Sequence, residues 1–236
     1  MKRRTIPIGW PRYDSRHYRF AIPNAVRKHK LKPVEFVIFS YLCYHGSIAV
    51  PDPGTIAVGV HMTVSTVKKY LNSLTAKGLI DERGTPTLKC EATNFFTLPN
   101  EVFILRLPPS AFLVYAYLLL IEDRQSHTCH PSYNTIAEAT GLSKNTAMKS
   151  IGVLLEMGLI TSESSSYFDK HGLKWNGNNL YTIMPVGVAV DTFYQRQLRR
   201  VEADVARGKA QAKLSRLCAA QVPSLETEHP TTPLTT

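Results

Sequence analysis

The sequence lacks the cysteine pattern of a disulfide-stabilised or metal-clustered protein. Its four cysteines, at positions 43, 90, 129 and 218 of 236, are scattered without a close pair. Such spacing is typical of reduced thiols, and we expect a cytoplasmic protein. Long apolar runs are also missing: the longest, Ala111 to Ile121, has eleven residues, too few to span a bilayer. The basic start is not followed by an apolar stretch, so neither a signal peptide nor membrane association is expected.

Catalytic motifs are missing as well. The sequence contains no GxxxxGK[ST] phosphate loop, no HExxH, no CxxC and no GxSxG, and no acid pair or nucleophile–base set stands out. His127, Cys129 and His130 are metal-ligand types, but they lie in a predicted loop without a clear fourth ligand. We therefore expect neither an enzyme nor a bound cofactor or metal.

Acidic residues are scarce. There are 18 of them against 28 Lys and Arg, which gives a net charge of +10. The segment up to Lys32 has ten basic residues and one acid, Asp14. This imbalance favours a polyanionic partner. The first 19 residues combine basic side chains with Trp10 and Tyr13, and they are predicted either to lie along phosphates or in a minor groove, or to be a flexible soluble tail.

The stretch from Thr135 to Ile160, TIAEATGLSKNTAMKSIGVLLEMGLI, is the most informative part of the chain. A short helix is predicted to end at Gly141, because glycine adopts a left-handed cap at little cost. Ser143 can cap a second helix with its hydroxyl. That helix carries an apolar stripe at helical spacing: Ala147, Ile151, Leu154 and Leu155. The pattern predicts a helix-turn-helix, whose second helix fits a DNA major groove.

The same stretch occurs twice. Residues 55–80, TIAVGVHMTVSTVKKYLNSLTAKGLI, align with it without a gap at an offset of 80 residues. An upstream segment, Pro23 to Leu42, recurs at an offset of 76 residues. The chain is therefore predicted to hold two copies of one domain, called copy one and copy two below. In copy one His61 and Met62 replace Gly141 and Leu142, so we expect a less regular turn there.

Each copy is predicted to end in a two-stranded hairpin, or wing. In copy one the strands would be 79–83 and 94–98, and in copy two 159–168 and 179–184. Through the "TIA" helix, the "GLSKNT" turn and the "GLI" entry to the wing, each copy resembles the winged helix-turn-helix domains of bacterial DNA-binding proteins. The paired layout, with its strand–Pro–helix opening, is similar to the amino-terminal domains of plasmid replication initiators.

The predicted fold class is mainly α with small β-hairpin wings: two tandem winged helix-turn-helix domains and a C-terminal helix. The segments are a basic arm (1–19), two winged helix domains (20–98 and 99–190), a basic helix (191–221) and a disordered tail (222–236). In the basic helix Tyr194, Leu198, Val201 and Val205 recur at helical spacing. This helix is predicted to pair with its copy in a homodimer, to lie on DNA, or to pack on copy two with a solvated face.

The predicted DNA-binding residues are polar or basic side chains of the second helices, the second wing and the arm. They are Ser65, Thr66, Lys68, Lys69 and Asn72; Lys144, Asn145, Thr146 and Lys149; Lys170 and Lys174; and Arg3 and Arg4. Asn can pair with adenine, and Lys can donate to guanine or to phosphate. The resulting hypothesis is a non-enzymatic double-stranded DNA-binding protein, either a transcriptional regulator or a plasmid replication initiator. The alternatives are a winged-helix docking module and single-stranded nucleic acid binding through the aromatic arm.

Overall fold

The computed structural model describes residues 18–46, 50–90, 93–168 and 174–220. The fold is mainly helical with small antiparallel sheets, as the sequence predicted. The described residues up to Phe193 form one compact unit, and those from Tyr194 to Ala220 form another. The predicted arm residues Arg3 and Arg4, the wing residue Lys170 and the tail 222–236 lie outside the described residues.

Copy one begins with a strand and a 3₁₀ turn and continues with three helices. They are β1 (Arg19–Pro23), the turn (Asn24–His29), α1 (Pro33–His45), α2 (Pro53–Gly59) and α3 (Val64–Ala76). Proline opens both α1 and α2, where its fixed φ fits the first turn of a helix and its missing N–H costs no hydrogen bond. This order places α2 and α3 as the two helices of the first helix-turn-helix.

Copy two repeats that order and adds a sheet. Its elements are β2 (Phe95–Pro99), a 3₁₀ turn (Asn100–Phe103), α4 (Pro109–Ile121), β3 (Thr128–Cys129), α5 (Tyr133–Thr140), α6 (Lys144–Met157), β4 (Ile160–Phe168) and β5 (Lys174–Ile183). In the three-stranded antiparallel sheet β5 lies between β3 and β4. Helix α7 (Val186–Ala220) follows; it begins five residues before the predicted basic helix (191–221) and covers all of it except residue 221, which lies outside the described residues.

The second wing is longer than predicted. Its return strand begins at Lys174 rather than Asn179, because β4 and β5 remain paired out to Phe168 and Lys174, across an irregularity between Ser164 and Ser166. The predicted loop before α5 also contains the short strand β3, which pairs with β5. The hairpin is therefore anchored to the domain by a third strand.

The hairpin predicted for copy one is wrong. Among the described residues between 79 and 94, the one pairing is an isolated bridge between Ile80 and Pro86. The Asp81 carboxylate closes a tight turn there by accepting the backbone N–H of Arg83 (2.9 Å) and of Thr85 (2.7 Å). The segment expected to return, β2, pairs instead with β1. This pairing buries alternate apolar residues of both strands: Phe20, Ile22, Phe96 and Leu98.

The β1–β2 pairing relates the two copies by a pseudo-twofold axis. Ala21 lies opposite Thr97, its own equivalent at the 76-residue offset. The backbone bonds around this pair are reciprocal: Asn24 donates to Asn94 O (3.0 Å), and its equivalent Asn100 donates to Tyr18 O (2.9 Å). Reciprocal contacts of this kind define an isologous interface, as in a symmetric homodimer.

A second pair of equivalent elements, α1 and α4, is also in contact. The rings of Phe36 and Phe112, again equivalent positions, meet edge to face with centroids 6.0 Å apart. The two copies therefore share one core across equivalent strands and equivalent helices. Both helix-turn-helix units are built onto this common base.

The predicted core stripe of α6 is confirmed except at its last position. Ile151 and Leu154 are buried, as are Leu118 of α4 and Ile136 of α5, and the three helices are in mutual contact. Leu155 is 39% exposed and does not belong to the core. Ala147, Ile151 and Leu154 lie on one side of the helix, whereas Leu155 lies about 100° further around the helix axis than Leu154.

A buried carboxylate joins α1 to α3 in copy one. Glu35 accepts hydrogen bonds from the Lys77 ammonium (2.6 Å), the Ser73 hydroxyl (2.7 Å) and the Lys32 backbone N–H (2.8 Å). Burial raises the pKa of Glu35, but these bonds outweigh burial, and the pKa is lowered from its ordinary 4.5. The folded state therefore favours the charged carboxylate.

We expect acid to destabilise the protein in a way that Glu35→Gln removes. Because the folded-state pKa lies below the unfolded-state value, the stabilising contribution is present above pH 4.5 and is lost as the pH falls through the folded-state pKa. The free energy of unfolding, measured with urea from about pH 7 to about pH 3, should fall less steeply in the variant. Glu82→Gln, at an exposed position, is the control, and equal slopes for all three proteins would contradict the assignment.

Candidate nucleic-acid interface

The turn between the two helices is similar in the two copies. Gly141 has a φ of 67°, and His61 adopts nearly the same left-handed conformation at 55°. The next residue then donates its N–H five residues back in each case: Met62 to Ala57 O at 2.9 Å, and Leu142 to Ala137 O at 3.1 Å. The less regular turn expected in copy one is confirmed at one residue: α2 ends at Gly59, one position earlier than α5, and His61 donates its N–H to Val58 O (3.3 Å) where Gly141 donates to Ala137 O. Histidine is among the residue types enriched at positive φ, and the two helices fix the conformation from both sides.

Both second helices begin with the same hydroxyl cap. The Thr63 hydroxyl accepts the backbone N–H of Thr66 (3.3 Å) at α3, and the Ser143 hydroxyl accepts that of Thr146 (3.2 Å) at α6. In each case the two hydroxyls also lie 2.8 Å apart. Thr66 and Thr146 are half-buried. Two of the predicted DNA-binding residues, Thr66 and Thr146, therefore take part in the N-caps of their helices. The more exposed residues of each helix remain available to a partner.

The outer faces of the two helices carry matched polar residues. On α3 these are Ser65, Lys68, Lys69 and Asn72, and on α6 they are Lys144, Asn145 and Lys149, all of them exposed. Lys69 and Lys149 occupy equivalent positions. The Lys69 ammonium lies 5.8 Å from the centroid of the neighbouring Tyr70 ring, a cation–π distance that limits where the side chain points.

Two exposed apolar residues on these faces were missed by the sequence interpretation. Met148 of α6 is 45% exposed and Val64 of α3 is 42% exposed. Each replaces a lysine of the other copy, since Met148 is equivalent to Lys68 and Val64 to Lys144. An apolar side chain on a helix in the major groove can contact a thymine methyl. The signal available in the sequence was an apolar residue at an otherwise polar helical phase.

The base of the second wing is attached to the helix-turn-helix. The Asn179 side chain donates to the hydroxyls of Tyr133 and Tyr181, both at 3.3 Å, and the Asn178 amide donates to His130 O at 3.3 Å. A small cleft of about 170 Å³ is lined by Asn178, Asn179 and Lys144. The start of α6 and the wing therefore border one surface. Lys174 opens β5 on the far part of this hairpin, and Lys170 lies outside the described residues.

A tight turn lies beside the second helix of copy one. Where copy two has β4 and β5, the described part of copy one has the tight turn closed by Asp81. Arg83 is exposed on that turn and is its basic residue. The two helix-turn-helix units are thus alike in their second helices and unlike in the elements that flank them.

The predicted loop cluster does not form a metal site among the described residues. Cys129 is buried, and burial raises the pKa of its thiol to about 12, which disfavours the thiolate that binds metals. His127 lies 3.6 Å from the Glu122 carboxylate. Across the described ranges, no three His, Cys, Asp or Glu side chains are close enough to share an ion. None of the described helices has the length and apolarity needed to cross a membrane.

Comparison with known proteins agrees with this geometry. Residues 105–160 match the family described as "Helix-turn-helix domain", a range that runs from just before α4 to the start of β4. No curated protein matches the sequence significantly. The matched segment and the arrangement of helices and wing support a winged helix-turn-helix fold.

Three solved structures show low similarity to this chain, both in sequence and in overall superposition. A possible transcriptional regulator from Methanosarcina mazei Go1 is 16% identical, with 51% of this chain and 92% of that chain covered and a TM-score of 0.31. The zinc-responsive MarR family member ZitR from Lactococcus lactis is 14% identical, with 66% and 94% covered and a TM-score of 0.24. ScpB from Mycobacterium tuberculosis is 17% identical, with 71% and 97% covered and a TM-score of 0.21.

Proposed function

We propose that the protein binds double-stranded DNA with two helix-turn-helix readers in one chain and acts through this binding, without catalysing a reaction. The observation that carries the proposal is the pair of N-capped helices, α3 and α6, each presenting exposed lysines and an asparagine. Side chains of these types suit base edges and phosphates. The net charge of +10 adds a long-range attraction to the duplex.

The half-sites are proposed to be inverted. A twofold relation between two readers reverses the direction of one relative to the other, so a single duplex would present them with a pseudo-palindrome. The reciprocal bonds of Asn24 and Asn100 support such a relation between the copies. If both helices enter one face of the DNA, their half-sites should be centred about one helical turn apart, or a multiple of it.

The inverted half-sites should differ in sequence. Asn72 of α3 is replaced by Gly152 in α6, and Lys68 by Met148. Asn suits adenine and Lys suits guanine, whereas Met can only make an apolar contact. A symmetric homodimer has two identical readers, but these two copies differ at the positions that would contact bases.

A footprint on selected duplex DNA tests the two-reader model. We expect the monomeric protein to protect two half-sites, with Lys69→Ala losing protection at one and Lys149→Ala at the other. Protection of a single half-site, unaffected by Lys69→Ala, would leave copy two as the only reader. Absence of duplex binding at about 50 mM salt, where electrostatic affinity is strong, would instead favour the protein-docking alternative.

The second wing is proposed to contact phosphates through Lys170 and Lys174. Replacing both by Ala should weaken binding similarly on all sequences and reduce the slope of log K against log salt by up to about two units. A gel-shift salt series on specific and random duplexes measures this. Lys89→Ala together with Arg124→Ala, at exposed positions outside the proposed readers, the wing and α7, is the charge-matched control. An unchanged slope in the wing variant would contradict the wing contact.

Two uses of DNA binding are candidates, transcriptional regulation and replication initiation. The matched helix-turn-helix segment supports DNA binding, which both uses share. The strand–Pro–helix opening of both copies is the feature that resembles plasmid replication initiators. The position of the binding sites separates them: an operator overlapping a promoter identifies a regulator, and iterated repeats beside an origin identify an initiator.

Homodimerisation through α7 is proposed as a separate contact. In the unit from Tyr194 onward, Leu198, Val201 and Val205 are 47%, 60% and 51% exposed and share one face. Apolar residues at this spacing are typical of paired helices. Sedimentation equilibrium should show self-association that Leu198→Glu abolishes, while Glu202→Gln leaves it intact. A wild-type monomer at all concentrations would contradict the contact.

A further inference from the structure

The pseudo-twofold symmetry is broken at one place by a cavity. A space of about 490 Å³, called the copy-two cavity, lies between the 3₁₀ turn of copy one and helices α4 and α5 of copy two. Its volume is in the range of small-molecule sites. The apolar wall includes Phe96, Leu113 and Leu120, and Tyr117 is half-buried beside them.

The equivalent space on the other side of the axis is filled. It holds an aromatic cluster formed by Phe20, Tyr41, Tyr44 and Phe103, called the aromatic plug. The ring of Phe103 lies at its centre, with centroids 5.7 Å from Phe20, 5.1 Å from Tyr41 and 5.6 Å from Tyr44. Spacings of this size are typical of packed aromatic pairs. The aromatic plug therefore shows that a space of this shape accommodates an aromatic ring.

Two substitutions between the copies account for the difference. Arg27 stands at the position equivalent to Phe103, and its side chain is exposed rather than packed. The second substitution is at Gly59 of α2. A Cβ at this position would lie 2.1 Å from the Tyr41 hydroxyl, so Tyr41 can pack against α2 only because residue 59 is glycine. Copy two has Ala139 there, and its methyl group keeps Tyr117 from the corresponding place.

The mouth of the copy-two cavity is positively charged. Arg27, Lys28 and Lys30 all line it and are exposed, and one acid, Glu138, lies on the opposite rim. An aromatic ring would find in the cavity the kind of wall that surrounds Phe103 in the plug. An anionic group on that ring would lie at the cations, with a guanidinium suited to bind a carboxylate in two-point fashion.

We propose that the copy-two cavity binds a small aromatic carboxylate, whose ring occupies the place that Phe103 fills in the aromatic plug and whose anionic group meets Arg27. The same cavity is walled by Glu138 and Gly141, the end of α5 and the turn residue of the second helix-turn-helix. The occupant therefore touches the element that sets the position of α6. It acts as an effector of DNA binding, a consequence that rests on the proposed function, whereas the binding itself does not.

Calorimetric titration of the full chain with 2-naphthoate, in the absence of DNA, tests the site. The neutral 2-naphthamide is the ligand control and should bind at least about tenfold more weakly, because it loses the charge-assisted bond. Arg27→Phe restores the plug residue and should abolish binding. Arg27→Gln should reduce the preference for naphthoate over the amide, whereas Arg83→Gln, with the same loss of charge on the turn of copy one, should leave it unchanged.

Several results would overturn the proposal. Equal binding of naphthoate to the wild type and to a folded Arg27→Phe protein is one of them, and thermal unfolding verifies that the variant is folded. No binding of naphthoate, with Arg27→Gln weakening affinity for duplex DNA, would make these cations phosphate contacts instead. A gel shift with and without naphthoate tests the effector role. This role is supported if naphthoate changes the DNA affinity of the wild type and leaves that of Arg27→Phe unchanged. If the protein binds naphthoate but does not bind DNA, the proposed ligand site is supported and the proposed function is overturned.

Discussion

Leu154→Ala should destabilise the protein by about 2–5 kcal/mol, the largest effect we expect from a single core substitution. Leu154 is fully buried at the meeting of α4, α5 and α6, and its truncation leaves a cavity that three packed helices cannot readily close. Urea denaturation followed by circular dichroism measures the free energy of unfolding.

The neighbouring residue supplies the control for this measurement. Leu155 has the same side chain in the same helix but is 39% exposed, so Leu155→Ala should cost well below that range. Similar losses in the two variants would mean that the face assigned to the core is wrong. Leu74→Ala tests the equivalent position of α3 and should fall in the same range as Leu154→Ala.

Asn145→Ala should reduce discrimination at one base pair of one half-site by about 1–3 kcal/mol, which is roughly 5- to 150-fold in relative affinity. Asn145 is exposed at the start of α6, where the first residues of a recognition helix reach base edges. Competition binding with duplexes changed at each position in turn measures the effect.

The control distinguishes readout of bases from loss of charge or fold. Lys69→Ala should act on the other half-site, and Asn145→Ala should leave the salt dependence unchanged because it removes no phosphate contact. A uniform loss of affinity across all duplexes in Asn145→Ala would show that the asparagine positions the protein without reading sequence.

Local signals were enough to predict the two helix-turn-helix units. Gly141 and Ser143 mark the end of one helix and the cap of the next, and both positions act as expected. The turn of copy one has no glycine to signal it, because His61 adopts the left-handed conformation there. There the contacts of two packed helices, rather than local preference, decide the backbone.

Long-range pairing was the part that the sequence patterns predicted wrongly. The segment Phe95–Pro99 is similar both to the return strand of the second wing and to β1, and its alternating pattern fits either partner. The structure pairs it with β1. That choice depends on two strands about 76 residues apart meeting across the shared core, which no local pattern encodes. The copy-two cavity was equally hidden, because Arg27 leaves the place of Phe103 unfilled and Ala139 keeps Tyr117 out of it.

The pairing of β1 with β2 also determines how the protein should fold and unfold. Each copy contributes one strand to a two-stranded ladder and one helix to the α1–α4 pair, so neither has a complete core by itself. An isolated two-stranded ladder is marginal in water, and a fragment ending before residue 95 would keep only half of it. Unfolding of the two homologous halves should therefore be a single cooperative event, and the closure of this long loop should slow folding relative to that of a single winged helix.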